Sequence, residues 1–331
     1  MITDADAEFH SPESGDWAET NYFGFYVPDE QLNVGVYALF RPQLGVVLST
    51  VCINSHFSYE PWHADYADMQ AHVAIPSAAR LTDYSLANGL HVRSDRPNMH
   101  WLIDYTGRSS GCEIHVDYES LMPPFDIHDP DQDPMSRRAA SEHGDDYAWG
   151  TAYNGHFDQT GRFRGELSLR GRRYEVDCVS TMDHSWGPRP EPTSPTMSWF
   201  HAHFGPDFSI HTIFSFDAAS GGSELELGHG YVLRDGEVHG VEQAKATTVR
   251  RGFYPAGITV ELRDTSGQNY SYDGTALTSY PWLSWPNVCG HNALMHWRCG
   301  DREGYGEVMD FVGFEELDSL GPSHPALVEA S

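Results

Sequence analysis

Lysine is almost missing from this chain. Lys245 is the only one, and the 20 basic residues stand against 48 acidic ones, a formal net charge of −28. Such an excess of acid repels polyanions, so neither nucleic acid nor an anionic membrane surface is an expected partner. Cysteine is scarce too. Five in 331 residues, without dense spacing, exclude a disulfide-stapled scaffold and fit a reduced, cytoplasmic setting. No apolar run is long enough to span a bilayer, and the N-terminus carries acids where a secretory signal would carry positive charge. There is no G-x-S-x-G elbow, no phosphate-cradling G-x-x-x-x-G-K-[ST] and no strand–G-x-G-x-x-G–helix unit. The reading therefore calls for no cofactor. Helical periodicity is thin, and only residues 64–73 and 76–86 read as short helices.

What is present is β-structure. Hydrophobic residues at 40% and aromatics at 13% give enough material for a folded core, and the length suits two domains. Strands are expected at 34–40 and 46–53, and at 98–105 and 112–119, each pair joined by a glycine-containing turn. Residues 151–157, 163–169 and 174–182 read as a three-strand meander. Residues 198–204 and 208–216 flank Gly205-Pro206-Asp207, and further strands follow at 224–234, 244–250, 258–263, 270–275 and 306–311. Many strands with frequent turns imply antiparallel barrels or sandwiches, an all-β fold. The expected division is a domain over 1–187, a second over 188–317 and a flexible tail over 318–331. Residues 1–20 read as loosely ordered, and the acidic run 126–133 as a solvated loop that lacks the glycine and terminal glutamate of a calcium loop.

Residues 182–189, Met-Asp-His-Ser-Trp-Gly-Pro-Arg, concentrate an acid, an imidazole, an indole and a guanidinium. The alternating run before them reads as a strand, and Gly187-Pro188 as its stop. Asp183, His184 and Trp186 would then sit at a strand mouth. The plainer alternative makes Asp183 a turn cap and Trp186 core filling. If Gly205-Pro206-Asp207 is a hairpin turn, paired residues sum to about 412. His201 then faces His211, His203 faces Ser209 and Trp199 faces Ile213, all on one face. Phe200, Ala202, Phe204, Ile210, Phe214 and Phe216 occupy the other. Neither His201, His203 and His211 nor the run Cys289, His291, His296 and Cys299 has a recognised ligand spacing, so no metal is expected.

The Asp183-His184-Ser185-Trp186-Gly187 run, followed by Trp199 to Phe204 and by Gly304-Tyr305-Gly306-Glu307, resembles the carotenoid 1,2-hydratase/AttH-like superfamily. The resemblance implies two lipocalin-like β-domains. It also implies kinship with kievitone hydratase and other hydratases of isoprenoid and phenolic prenyl chains, tocopherol cyclase and fungal Diels–Alderase-like cyclases. It makes Asp183, His184 and Trp186 the expected site residues; the hairpin face adds His201 and His211 as further catalytic candidates and Trp199 and His203 as substrate-binding ones, with Asp217 just beyond it. Hydrating an alkene means protonating carbon to a tertiary cation. That needs an acid in a dry pocket, aromatic faces and a base for the attacking water. The expected activity is a cofactor-independent hydratase or dehydratase, a lyase acting on a hydrophobic terpenoid, steroid-like or prenylated small molecule. An isomerase or cyclase using the same acid, and a non-catalytic carrier, are the alternatives. Homo-oligomerisation is left open.

Overall fold

The computed structural model describes residues 1–107, 111–143, 154–190, 196–220, 224–252, 254–283, 285 and 287–321. The chain forms two compact units. The first gathers Met1–Asn54, Asp65–Asp126 and Thr151–Arg189; the second gathers Ser55–Ala64, Ile127–Gly150 and Pro190–Ser331.

The first unit is a curled, half-barrel antiparallel sheet. Its strands are β1 (Trp17–Val27), β2 (Leu32–Arg41), β3 (Val46–Asn54), β4 (Tyr66–Ala74), β5 (Asp83–Ser85), β6 (Leu90–Arg96), β7 (His100–Thr106), β8 (Cys112–Ser120), β9 (Phe125–Asp126), β10 (Gly155–Leu169) and β11 (Arg172–Pro188). Their order is β4-β3-β2-β1-β11-β10-β8-β7-β6-β5, with β9 on β10. β11 therefore lies between β10 and the first strand of the chain. One face carries an aromatic core in which Phe23 meets Trp101, and Phe163 meets Phe25 and Tyr118. Burying such rings is the main term stabilising a sheet of this kind.

The second unit has β12 (Met197–His203), β13 (Phe208–Phe216), β14 (Glu224–Arg234), β15 (Glu237–Arg251), β16 (Tyr254–Asp264), β17 (Asn269–Ala276), β18 (Tyr280–Trp282), β19 (Val288–Cys299) and β20 (Arg302–Gly313). Pairing of β17 with β19 closes eight of these into a barrel. Its interior holds Phe200, Ala202, Phe204, Ile210, Phe214 and Trp297, the face the hairpin pattern assigned to core.

Several local expectations are overturned. Residues 66–74 form β4, and 76–86 form turns and β5, so neither expected helix exists. Helix-forming Ala, Met and Gln yield there to pairing with β3, which satisfies the backbone of both strands. The helices lie elsewhere: α1 (Pro134–His143) and α2 (Phe314–Leu320). The acidic run is an exposed turn only in its middle, around Pro130 and Asp131, and its two ends are structured. Asp126 belongs to β9, and Asp133, fully buried, accepts from the backbone N–H of Met135 and Ser136 at 3.1 Å, capping α1 ahead of its proline. Residues 1–20 are not loose, since β1 begins at Trp17 and the ring of Phe9 packs on Phe40 at 5.0 Å.

The expected meander is a single long hairpin. Gly161 does not turn the chain; it makes room for the Tyr118 ring, whose atoms would stand 2.2 Å from a Cβ there. Nor do Gly187 and Pro188 stop β11. Gly187 adopts φ +141° within the strand; pairing with β10 runs to Trp186, and pairing with β1 carries the strand on to Pro188. Of the expected tail, residues 318–320 close α2 and 322–331 lie outside the described residues, as do 108–110, 151–153 and 191–195.

Candidate functional site

Because β11 runs straight through the motif, Asp183, His184 and Trp186 do not converge. Successive side chains on a strand point to opposite faces. His184 and Trp186 share the aromatic core face, where Phe157 meets the His184 imidazole at 5.6 Å. Asp183 and Ser185 stand on the other. Asp183 is no turn cap, for its Cα partners are Asp158 on β10 and Tyr22 on β1.

Around Asp183 a polar cluster assembles. Asp158 is directly opposite it, and His156 is directly opposite Ser185. All four are buried, Asp183 at 9% exposure being the most accessible. His156 Nε2 lies 2.9 Å from Asp158 Oδ2. Burial alone would pull the imidazole down, but the charge and hydrogen bond of Asp158 outweigh it. With a smaller contribution from Asp183, and against Arg189, His156 ends above its ordinary value. The buried Arg189 guanidinium donates to Ser185 Oγ and, at 3.3 Å, to the Tyr37 hydroxyl. The Tyr37 ring lies 6.4 Å from that of Tyr22. Two acids, an imidazole, a guanidinium and two phenols thus share one dry face of the first unit.

The opposite face gathers a second polar group, reached partly from outside the sheet. Glu19 of β1, fully buried, accepts from Trp17 Nε1 at 3.0 Å and from the His10 backbone N–H at 2.7 Å. Its other oxygen lies 3.1 Å from His10 Nδ1 and 3.8 Å from His184 Nε2. Burial lowers His184 to about 4 against the pull of Glu19 and its bond to the Thr20 carbonyl. His10 is also penalised by burial, but Glu19 and Asp6 overcome this and raise it. The Trp186 indole stacks on His10 at 4.1 Å and 10°.

In the second unit the hairpin arithmetic holds: His201 pairs with His211, His203 with Ser209 and Trp199 with Ile213. The histidines lie on the barrel face opposite its core, at 0–2% exposure. His201 and His211 approach through their Nδ1 atoms at 2.9 Å, and His203 Nδ1 meets Ser209 Oγ at 3.0 Å. Burial, with the neighbouring His211, drops His203 to about 3, so it is neutral at ordinary pH. Tyr231 pairs with His211 and extends this face. Buried Glu307, at odd-numbered positions with Tyr305 and Met309 on β20, belongs to it too and accepts from Asn292 at 3.0 Å. Trp199 packs edge-on against Phe311. Asp217 is exposed and caps Ala219 beyond the end of β13, apart from the histidines. The run 289–299 is the extended strand β19, which separates Cys289 from Cys299 by roughly 33 Å.

The sequence reading gave no role to His156, Asp158, Glu19, His10 or Glu307. The first two were within reach. Had 155–169 been read as one strand, a turn at Arg170-Gly171 gives a pairing sum of 341 and sets Asp158 against Asp183. Glu19 gives no signal of its link to His184, which is 165 residues away and is brought near only by the pairing of β1 with β11.

The chain belongs to the family described as Domain of unknown function (DUF7064), which matches residues 3–311. No curated protein matches the sequence. Among solved structures it is similar to kievitone hydratase from Nectria haematococca, at 12% identity and a TM-score of 0.55 over 91% of this chain and 90% of that one. A candidate AttH protein from Nitrosomonas europaea gives 12% and 0.57 over 90% and 92%. CghA, also solved with Sch210972, gives 11% and 0.54 over 92% and 93%. At these identities the likeness is one of fold, and the neighbours are those the 183–187 motif resembles.

Proposed function

We propose that this member of the DUF7064 family is a hydratase-like enzyme acting by proton transfer. It would add water to, or remove it from, an alkene of a hydrophobic terpenoid, steroid-like or prenylated substrate. The observation that carries the reading is the pair Asp158 and Asp183, buried and directly opposed across one ladder. Two carboxyls in that relation can share one proton between them. In the proposed step Asp183 gives its proton to an alkene carbon, and the double-bond electrons form the new C–H bond. The water that captures the cation then returns a proton to the aspartate pair, so the site ends as it began. His156, hydrogen-bonded to Asp158, holds that carboxylate in place. The Tyr22 and Tyr37 rings, on the same face, supply the aromatic environment a carbocation needs, the role first given to Trp186.

The test is incubation with prenylated phenols and terpenoid alkenes in heavy-oxygen water, reading the label in the product by mass spectrometry. Asp183→Asn should lower turnover by roughly a hundredfold or more while the melting temperature holds. Asp158→Asn should also lose activity. A variant that keeps its turnover refutes the assignment.

A second reading has its own observation: His201, His211 and Glu307 form a buried acid–base set on one barrel face. If Asp183→Asn stays active while Glu307→Gln does not, the chemistry belongs there.

A further inference from the structure

The His10, Glu19 and His184 group can be read as more than an ion pair in a core. The ligand atoms of the three side chains all lie within 4.8 Å of one another. We infer that they form a binding site for a divalent first-row transition metal, such as zinc, on the face of β11 opposite Asp183.

The chemistry of the donors points that way. Two imidazole nitrogens and one carboxylate oxygen are a common ligand set for such ions, with bonds of about 2.0–2.2 Å. Donors around one ion then stand roughly 3–3.5 Å apart. The measured 3.1 Å from His10 Nδ1 to Glu19 Oε2 fits this, and the 3.8 Å from His184 Nε2 needs only a small inward shift.

The surroundings are those of a built site. His184 donates through Nδ1 to the Thr20 carbonyl, which leaves Nε2 as a lone pair aimed toward Glu19. That atom is buried and has no hydrogen-bond partner, on a residue 1% exposed. An unpaired buried nitrogen is destabilising unless something binds it. Glu19 Oε1 is held by Trp17 Nε1 and the His10 N–H, which turns Oε2 toward the two imidazoles. His10 Nε2 faces Asp6 Oδ1 at 3.4 Å, a carboxylate behind a histidine. Partners of this kind orient metal ligands and raise their basicity. The Trp186 indole covers the His10 ring.

The site joins segments distant in sequence. Glu19 and His184 are fixed on adjacent paired strands. His10 comes from the irregular segment ahead of β1, so an ion would clamp that segment onto the sheet. Nothing here depends on the hydration chemistry assigned to the other face.

Cobalt(II) tests the inference, because its visible absorption reports ligand type and geometry. Full-length protein stripped with chelator should take up one equivalent of Co²⁺ with visible ligand-field bands. Zn²⁺ should displace it, excess Ca²⁺ should not, and the melting temperature should rise on binding. Glu19→Gln and His10→Asn should each weaken binding by about tenfold or more, while exposed His115→Ala leaves it unchanged. His10→Asn lies outside the sheet and decides the matter should Glu19→Gln fail to fold. No stoichiometric uptake, displacement by Ca²⁺ from the acidic surface, or binding indifferent to His10→Asn would each overturn the site.

Discussion

At the scale of single residues, neighbours in sequence mislead and neighbours in register inform. Asp183 and His184 adjoin in the chain but stand on different faces, so Asp183 lies opposite Asp158, which His156 in turn contacts. That the motif lies on a strand was legible; its internal geometry was not, because Gly187 and Pro188 suggested an end where the strand continues. The His156–Asp158 pair makes a direct prediction. With Asp158 present, His156 titrates above the ordinary histidine value. Asp158→Asn removes the leading compensating charge and leaves burial in control, so the imidazole should fall below 6.5, its unperturbed value. NMR titration of the His156 ring in both proteins measures this. An unchanged midpoint would mean the two side chains do not interact in solution.

At the scale of elements, the barrel hairpin was legible from parity alone, since a two-residue period and a defined turn fix the register. What the pattern could not give was the third strand beside it. β20 pairs with β12 on the histidine strand's free edge, and glycines allow its close approach. A Cβ on Gly306 would stand 2.0 Å from the His201 carbonyl oxygen. Gly306→Ala should therefore force β20 away from β12 and cost about 3 kcal/mol, the upper range for overpacking. Urea unfolding provides the measurement; a loss below about 0.5 kcal/mol would show that the ladder yields more easily than its geometry suggests. β4 shows the converse limit. Its sequence favours helix, and only the waiting edge of β3 makes it a strand.

At the scale of the whole molecule, the cadence of strands and turns gave the all-β fold class but said nothing of how many histidines are buried. His203 is lowered to about 3 and His291 to about 4, chiefly by burial. Each is neutral when folded and takes up a proton on unfolding below its ordinary value of 6.5. The unfolded state then binds more protons, so stability falls as the pH drops from about 6.5 toward about 4. Each histidine contributes a slope of about 1.4 kcal/mol per pH unit in that window. Denaturant unfolding at several pH values should show this decline, and His291→Asn should make it shallower. Equal slopes in the two proteins would exclude His291 as a contributor.

The pairing of β1 with β11 also bears on how the protein is made. The ribosome releases Trp17–Val27 some 160 residues before the strand that completes its edge. At 5–20 residues per second the wait lasts roughly ten to thirty seconds. Throughout it, an aromatic-rich strand offers the unpaired amides and carbonyls of its free edge to whatever lies near. For this chain the hazardous moment of synthesis is therefore the interval before residue 188 emerges, when β1 is most open to capture by a chaperone or by a neighbouring nascent chain.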